Sequence, residues 1–286
     1  MIKIGLALGG GGARGAAHIG VLEELEALGI EADLLAGTSI GAAVAAMTAA
    51  GLSPKDVQDF FERFSLPSVF KFQSKQPAIS DNRKLTQLLE SFIGRPTFAE
   101  LKKPLMVVAT NFVAKNEVVI TEGDVVSAVI ASMSIPVLLP PVQRNGLTLV
   151  DGGLVNNTPF DVVRAHGATF TIGVDLGNGA PYGSEPQEKP TSGLLGRAVH
   201  YTKKQPILQV LTTMADMVTA QSVKTRLAIA PPDILLQPAM GTINLLDFQN
   251  LSYGIQAGRD VVRQHQQQLM SIGTAVQALP APRNKK

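Results

Sequence analysis

Cysteine and tryptophan are missing from the 286-residue chain, which holds only 3 tyrosines and 4 histidines. Without cysteine there can be no disulfide, no thiol nucleophile and no thiolate-held metal. Charge is scarce as well. Charged residues make up 17% of the chain, and the formal net charge is +2. So small a basic excess does not point to nucleic acid as a partner. No long apolar run is clean enough to cross a membrane. Residues 34–53 and 125–142 carry no charge, but a spanning helix needs about 20 predominantly apolar residues. The first run is mostly Ala, Gly, Ser and Thr, and the second is cut by Pro136, Pro140 and Pro141, which break helices. Both suit the buried interior of an α/β fold. Residues 1–5 run straight into an apolar segment with no charged leader before it, so the expected location is cytoplasmic.

What is present is a globular composition, 45% hydrophobic, long enough to bury a substantial core. Residues 3–8 read as a strand, followed by glycines and a helix over 13–28 that ends at Gly29. Residues 32–36 read as a second strand and 40–50 as an Ala-rich helix closed by Gly51. Alternation of strand, turn and helix predicts an α/β fold with a mainly parallel central sheet flanked by helices. Further helices are expected over 54–64, 84–92, 125–132 and 160–166, and strands over 105–111, 147–150 and 169–175, with 117–121 as a hairpin partner. Residues 177–192, rich in Gly, Pro, Ser and Glu, read as a loop. Beyond it lie one long helix or two over 194–226 interrupted near Pro206, a short strand over 233–237 and a last helix over 251–269. The expected organisation is one domain over 1–286: a core over 1–176, helical elaboration over 193–279 and a disordered tail over 280–286.

Gly37-Thr38-Ser39-Ile40-Gly41 fits G-x-S-x-G. Placed between a strand and a helix, this pattern makes a sharp turn that presents the serine oxygen, with flanking glycines relieving clashes. A tight turn with Ser39 capping the helix is the structural alternative. Gly10-Gly11-Gly12-Ala13-Arg14-Gly15 fits G-x-G-x-x-G. A dinucleotide site would require an acidic residue at the end of the second strand, where the sequence has Ala36-Gly37-Thr38-Ser39. The favoured reading is an oxyanion hole, in which the amides of Gly10, Gly11 and Gly12 converge on one point with the positive charge of Arg14 nearby.

A serine nucleophile needs a base. His18 is placed on the first helix at a packing position, His166 at a helix end before Gly167, and His200 and His265 on later helices. None sits in a glycine-rich loop after a strand. Asp151 does, at the end of an apolar strand and before Gly152-Gly153. As a carboxylate at the C-terminal end of a parallel strand, it is expected to reach the crevice that holds Ser39. A carboxylate base for a hydroxyl needs a dry site.

With the glycine loop, the Ser39 turn and Asp151-Gly152-Gly153 in this order, the chain resembles the bacterial branch of the patatin-like phospholipase family. The text around the motifs resembles it too: residues 16–22, Ala131-Ser132-Met133-Ser134-Ile135-Pro136 and residues 153–159. The likeness covers residues 1–175. It implies a patatin-like α/β/α sandwich with a Ser39–Asp151 dyad and no histidine. In that scheme the Gly10–Gly12 amides and Arg14 hold the oxyanion, and Gly15, Gly37, Gly41, Gly152 and Gly153 support the motifs. It also implies a fatty-acyl ester or phospholipid substrate, an acyl-enzyme, and no metal or organic cofactor.

Phe60, Phe61, Phe64, Val69, Phe70 and Phe72, with Lys71 and Lys75, form an aromatic and basic segment. It suits an acyl pocket, transient contact with a membrane surface, or burial in the core. Met214 and Met217 lie on a stretch that suits either a lid or ordinary packing. A non-catalytic protein that binds lipid or a regulatory partner on the same fold is the competing functional class.

Overall fold

The computed structural model describes residues 2–64, 82–177, 206–243 and 245–277. The expected loop over 177–192 and the tail over 280–286 lie outside these residues but for Gly177, as do Val69 to Phe72, Lys75 and His200.

The centre is a sheet of strands β1 (Ile4–Leu8), β2 (Leu34–Thr38), β3 (Leu105–Asn111), β4 (Asn116–Ile120), β5 (Val142–Arg144), β6 (Leu147–Asp151), β7 (Phe170–Val174) and β8 (Ile234–Leu236). Its order is β5-β6-β3-β2-β1-β7-β8, with β4 also paired to β3. The pairs β1–β2, β2–β3, β1–β7 and β7–β8 are parallel. Every residue of β1, β2 and β3 is buried, as a parallel sheet covered on both faces requires. The far C-terminal strand β8 joins this sheet instead of founding another.

Helices are α1 (Ala16–Ala27), α2 (Ile40–Ala50), α3 (Pro54–Arg63), α4 (Arg83–Ile93), α5 (Val125–Ser132), α6 (Phe160–Ala165), α7 (Pro206–Ile229), α8 (Leu251–Gln264) and α9 (Gln266–Gln277). Alternate strand residues serve opposite faces. Leu6, Leu8, Leu35 and Val107 enter the larger core with residues of α1 to α5 and α8. Ala7, Ala36, Met106 and Val108 pack with Phe160, Val162 and Val163 of α6 on the other face. Helices α1 and α8 approach through Gly20 and Gly258. A methyl group at Gly20 would run into the carbonyl of Ile255, and one at Gly258 into that of Ala17.

Several expectations are corrected. A 3₁₀ turn, Gly12–Gly15, precedes α1 where helix was expected from 13. The last helix is two, because the His265 imidazole turns back on the Val261 carbonyl at 2.9 Å and ends α8. Phe60 and Phe61 of α3, with Phe64 just after it, are buried, and Phe60 stacks against Phe61, Phe64 and Phe92. Of the alternatives open for these rings, burial in the core is the one observed.

The strand carrying Asp151 is antiparallel, not parallel. Its position follows from the ladder of β3. Residues Leu105 to Val108 pair with β2, Val107 to Asn111 with β4, and Ala109 to Asn111 with β6. A strand has two hydrogen-bonding edges. β4 occupies one of them, so β2 and β6 share the other end to end. β2 leaves the sheet at the Ser39 turn, and β6 descends into the space it vacates.

Candidate active site

Ser39 stands between β2 and α2 with φ 55° and ψ −126°. A non-glycine residue there carries strain of about 1–3 kcal/mol, kept because the surroundings allow no alternative. Gly37 and Gly41 face each other across the turn, and a Cβ at Gly41 would strike the carbonyl of Leu8. Gly15 lies against Ile40, and a Cβ there would come within 2.7 Å of its side chain. The Ser39 N–H donates to Ser132 Oγ at 2.8 Å, and that hydroxyl donates to the Val108 carbonyl at 2.5 Å. Ser132, on α5, thus fixes the strained peptide. Its residue type gave no sign of this role.

The Ser39 hydroxyl donates to Asp151 Oδ2 at 2.7 Å. Asp151 Oδ1 accepts from the Gly153 N–H at 2.8 Å, and the Asp151 carbonyl accepts from Thr110 Oγ1 at 2.8 Å. A side chain on Gly152 would overlap the Val108 carbonyl, so the glycine pair lets the chain turn against β3. Ser39 and Asp151 are 7% and 6% exposed. Burial pushes the Asp151 carboxyl up to about 6, against the pull of its bonds from Ser39 and Gly153. The site is as dry as a carboxylate base requires.

The glycine loop is held by three side chains, one to each successive carbonyl. His18 Nε2 donates to the Gly9 carbonyl at 2.8 Å, Asn157 Nδ2 to that of Gly10 at 3.3 Å and Arg14 Nε to that of Gly11 at 3.3 Å. Burial drops the His18 imidazole to about 4, so it is neutral, and its carbonyl partner places the proton on Nε2. In a trans peptide the carbonyl and the next N–H point oppositely. Anchoring the Gly10 and Gly11 carbonyls therefore also orients the N–H groups of Gly11 and Gly12. Among the described residues these two N–H groups have no acceptor, whereas that of Gly10 donates to the Asn157 carbonyl at 3.0 Å. Gly10 is committed to loop geometry, and a Cβ there would come within 3.1 Å of the Ser39 Cβ. Arg14, also on the cavity wall, is 2% exposed and paired with Asp216 of α7, while its buried Nη1 has no partner among the described residues.

These groups line a cavity of about 50 Å³ with Ile135, Pro136, Leu154 and, from α7, Ala215, Asp216 and Thr219. Ligand pockets usually measure about 300–1,000 Å³, so the site as folded is small, with α7 forming one of its walls. A larger cavity of about 550 Å³ lies where α1 and α2 end. Ser39 and Asp151 are absent from its walls, and its Lys103 and Glu31 are paired with each other. Among the described residues no cluster of His, Asp or Glu could hold a metal, and no helix is long and apolar enough to cross a membrane.

The chain is similar to an uncharacterised NTE family protein from Mycobacterium tuberculosis, 30% identical over 269 residues that cover 91% of this chain and 46% of the relative. It is also similar to the lysophospholipase NTE1 of Mycosarcoma maydis, 34% identical over 183 residues covering 62% of this chain and 10% of that protein. The chain thus spans less than half the length of either relative. The crystal structure of VipD from Legionella pneumophila shares the fold, with TM-score 0.56 and 15% identity, covering 94% of this chain and 67% of VipD. The family model described as patatin-like phospholipase matches residues 6–164, a stretch that contains the glycine loop, the Ser39 turn and Asp151, and the chain belongs to the patatin-like phospholipase family.

Proposed function

We propose that the protein hydrolyses fatty-acyl esters of lipids, phospholipids included, with Ser39 as nucleophile and Asp151 as general base. The observation that carries this reading is the 2.7 Å bond from Ser39 Oγ to Asp151 Oδ2 in a buried pocket. Family membership and the lysophospholipase among the relatives support the substrate class.

Ser39 Oγ attacks the acyl carbonyl while Asp151 Oδ2 takes its proton. The negative oxygen of the tetrahedral intermediate accepts from the Gly11 and Gly12 N–H groups, which face charge that develops only in the transition state. The N-terminal end of α2 adds a favourable dipole. Collapse expels the alcohol, which takes back the proton from Asp151 and leaves the acyl group on Ser39. Asp151 then deprotonates a water, which attacks the acyl-enzyme. The second intermediate releases the fatty acid and restores the Ser39 hydroxyl.

A panel of phospholipids, lysophospholipids and simple acyl esters, with fatty acid release followed by mass spectrometry, tests the reading. At least one ester should be turned over by the wild type and about a thousandfold more slowly by Ser39→Ala. Equal turnover by both proteins would discard it.

A further inference from the structure

The long helix α7 has two unlike faces. Ala215, Asp216 and Thr219 look into the cavity, and Val223 is buried. Val210, Met214, Met217 and Val218 are all exposed, Met214 at 55% and Met217 at 67%. Their spacing of i, i+4, i+7 and i+8 gathers them into one stripe about 100° wide. A water-facing surface does not call for four large apolar side chains on one helix face.

The stripe has company at the same edge of the sheet. Phe112 and Val113, exposed at 55% and 74%, follow the end of β3. Val137, also exposed, follows the cavity-lining Ile135 and Pro136 and has a positive φ of 73°. A β-branched residue is rarely found in that region. The charges nearby leave a small basic excess. Asp216 is held by Arg14, and Glu117 and Asp161 are held by Arg226. Lys115, beside Phe112 and Val113, and Lys224 of α7 are exposed.

We propose that this rim is a lipid-docking surface, in which the outer stripe of α7, Phe112, Val113 and Val137 enter the apolar layer of an anionic lipid surface while Lys115 and Lys224 meet its headgroups. A lipid surface is the occupant because the apolar stripe is the back of a helix that walls the cavity, so docking brings the site to the layer that holds its substrate. Unbranched methionines adapt to an irregular apolar environment, and exposed lysines beside apolar side chains match anionic headgroups. Docking would also act on the helix that forms one wall of this cavity of about 50 Å³, which is small for an acyl chain. The inference rests on the lipid-ester reading for its purpose but not for its measurement.

Binding is measured by sedimentation with vesicles of phosphatidylcholine and phosphatidylglycerol in equal parts, on the Ser39→Ala protein, so that failure to dock and failure to hydrolyse are separate results. The full chain should sediment with the vesicles, and Met214→Glu with Met217→Glu should weaken binding at least about tenfold. The chain lacks tryptophan, so Met217→Trp supplies a single reporter that does not depend on the charged variant folding. Its emission should shift to the blue and be quenched by brominated lipid. Met270→Trp, on α9 beyond the far end of α8, should do neither. Unchanged sedimentation of the double variant, or a Met217→Trp spectrum indifferent to vesicles, would overturn the proposal. A blue shift that follows protein concentration without lipid would overturn it too, and assign the stripe to a second copy of the chain.

Discussion

Thr38 and Asp151 lie one step apart along the same edge of β3, Thr38 opposite Val108 and Asp151 opposite Ala109. β2 therefore ends where β6 arrives, and the turn after Thr38 places the Ser39 hydroxyl on the Asp151 carboxylate. Parallel and antiparallel strands meeting end to end build the pair without any long side chain spanning the gap.

On the proposed mechanism the pair acts as a unit, so its losses should not add. Ser39→Ala, Asp151→Asn and the double variant should each lower kcat/KM by about a thousandfold or more and to similar levels. Steady-state kinetics on the best ester from the lipid panel provides the check. A double variant much worse than either single one would show the two residues acting separately.

The base must be ionised to take a proton. With the Asp151 carboxyl raised to about 6, kcat/KM should climb about tenfold per pH unit below that value and level off above it. A profile flat from about pH 5 to pH 8 would assign the proton transfer to another group. His18, held near 4 and neutral, does not supply this limb.

On the proposed mechanism the side chains on the glycine carbonyls act through the loop, as positioning residues. Asn157→Ala frees the Gly10 carbonyl and with it the Gly11 N–H. The expected result is a loss of about tenfold to a hundredfold in kcat with KM little changed, since the donors meet charge only in the transition state. A rise in KM at constant kcat would place Asn157 in substrate binding instead.

His18 and Asp151 pull acid stability in opposite directions. The folded imidazole titrates near 4 against 6.5 in the unfolded chain, so on acidification the unfolded state takes the proton first and stability falls. The folded Asp151 carboxyl titrates near 6 against 3.8, so there the folded state takes the proton first and stability rises as pH falls through 6. Between about pH 7 and pH 5 the first effect is about 2 kcal/mol and the second about 1 kcal/mol. Urea unfolding should show His18→Gln gaining stability over this interval relative to wild type, and Asp151→Asn losing it. The same pH dependence in all three proteins would contradict both assignments.

The parts of the site legible in the sequence are those encoded locally. The Ser39 turn, the glycine run and Asp151-Gly152-Gly153 each demand small residues beside one functional group, and such demands leave a short pattern. The parts that were not legible depend on partners distant in the chain. Ser132 supports Ser39 across 93 residues, Asn157 holds Gly10 across 147 and Asp216 holds Arg14 across 202. A serine, an asparagine or an aspartate in those places has many ordinary uses. The direction of β6 was misread because an apolar strand ending in Asp-Gly-Gly has the same local pattern in either orientation. The composition of Phe60, Phe61 and Phe64 left an acyl pocket, a lipid-facing surface and the core all open, and it is the structure that places them in the core. The exposed apolar stripe on α7 was hidden by the opposite ambiguity, since methionines at helical spacing usually mean core.

The most direct measurement of the central claim is the site of attachment of a fluorophosphonate, read by mass spectrometry of the labelled chain. The account predicts one phosphonyl group on Ser39, lost in Ser39→Ala and formed about a thousandfold more slowly in Asp151→Asn. A wild-type chain that takes up no label, or an Asp151→Asn chain labelled at the wild-type rate, would contradict it.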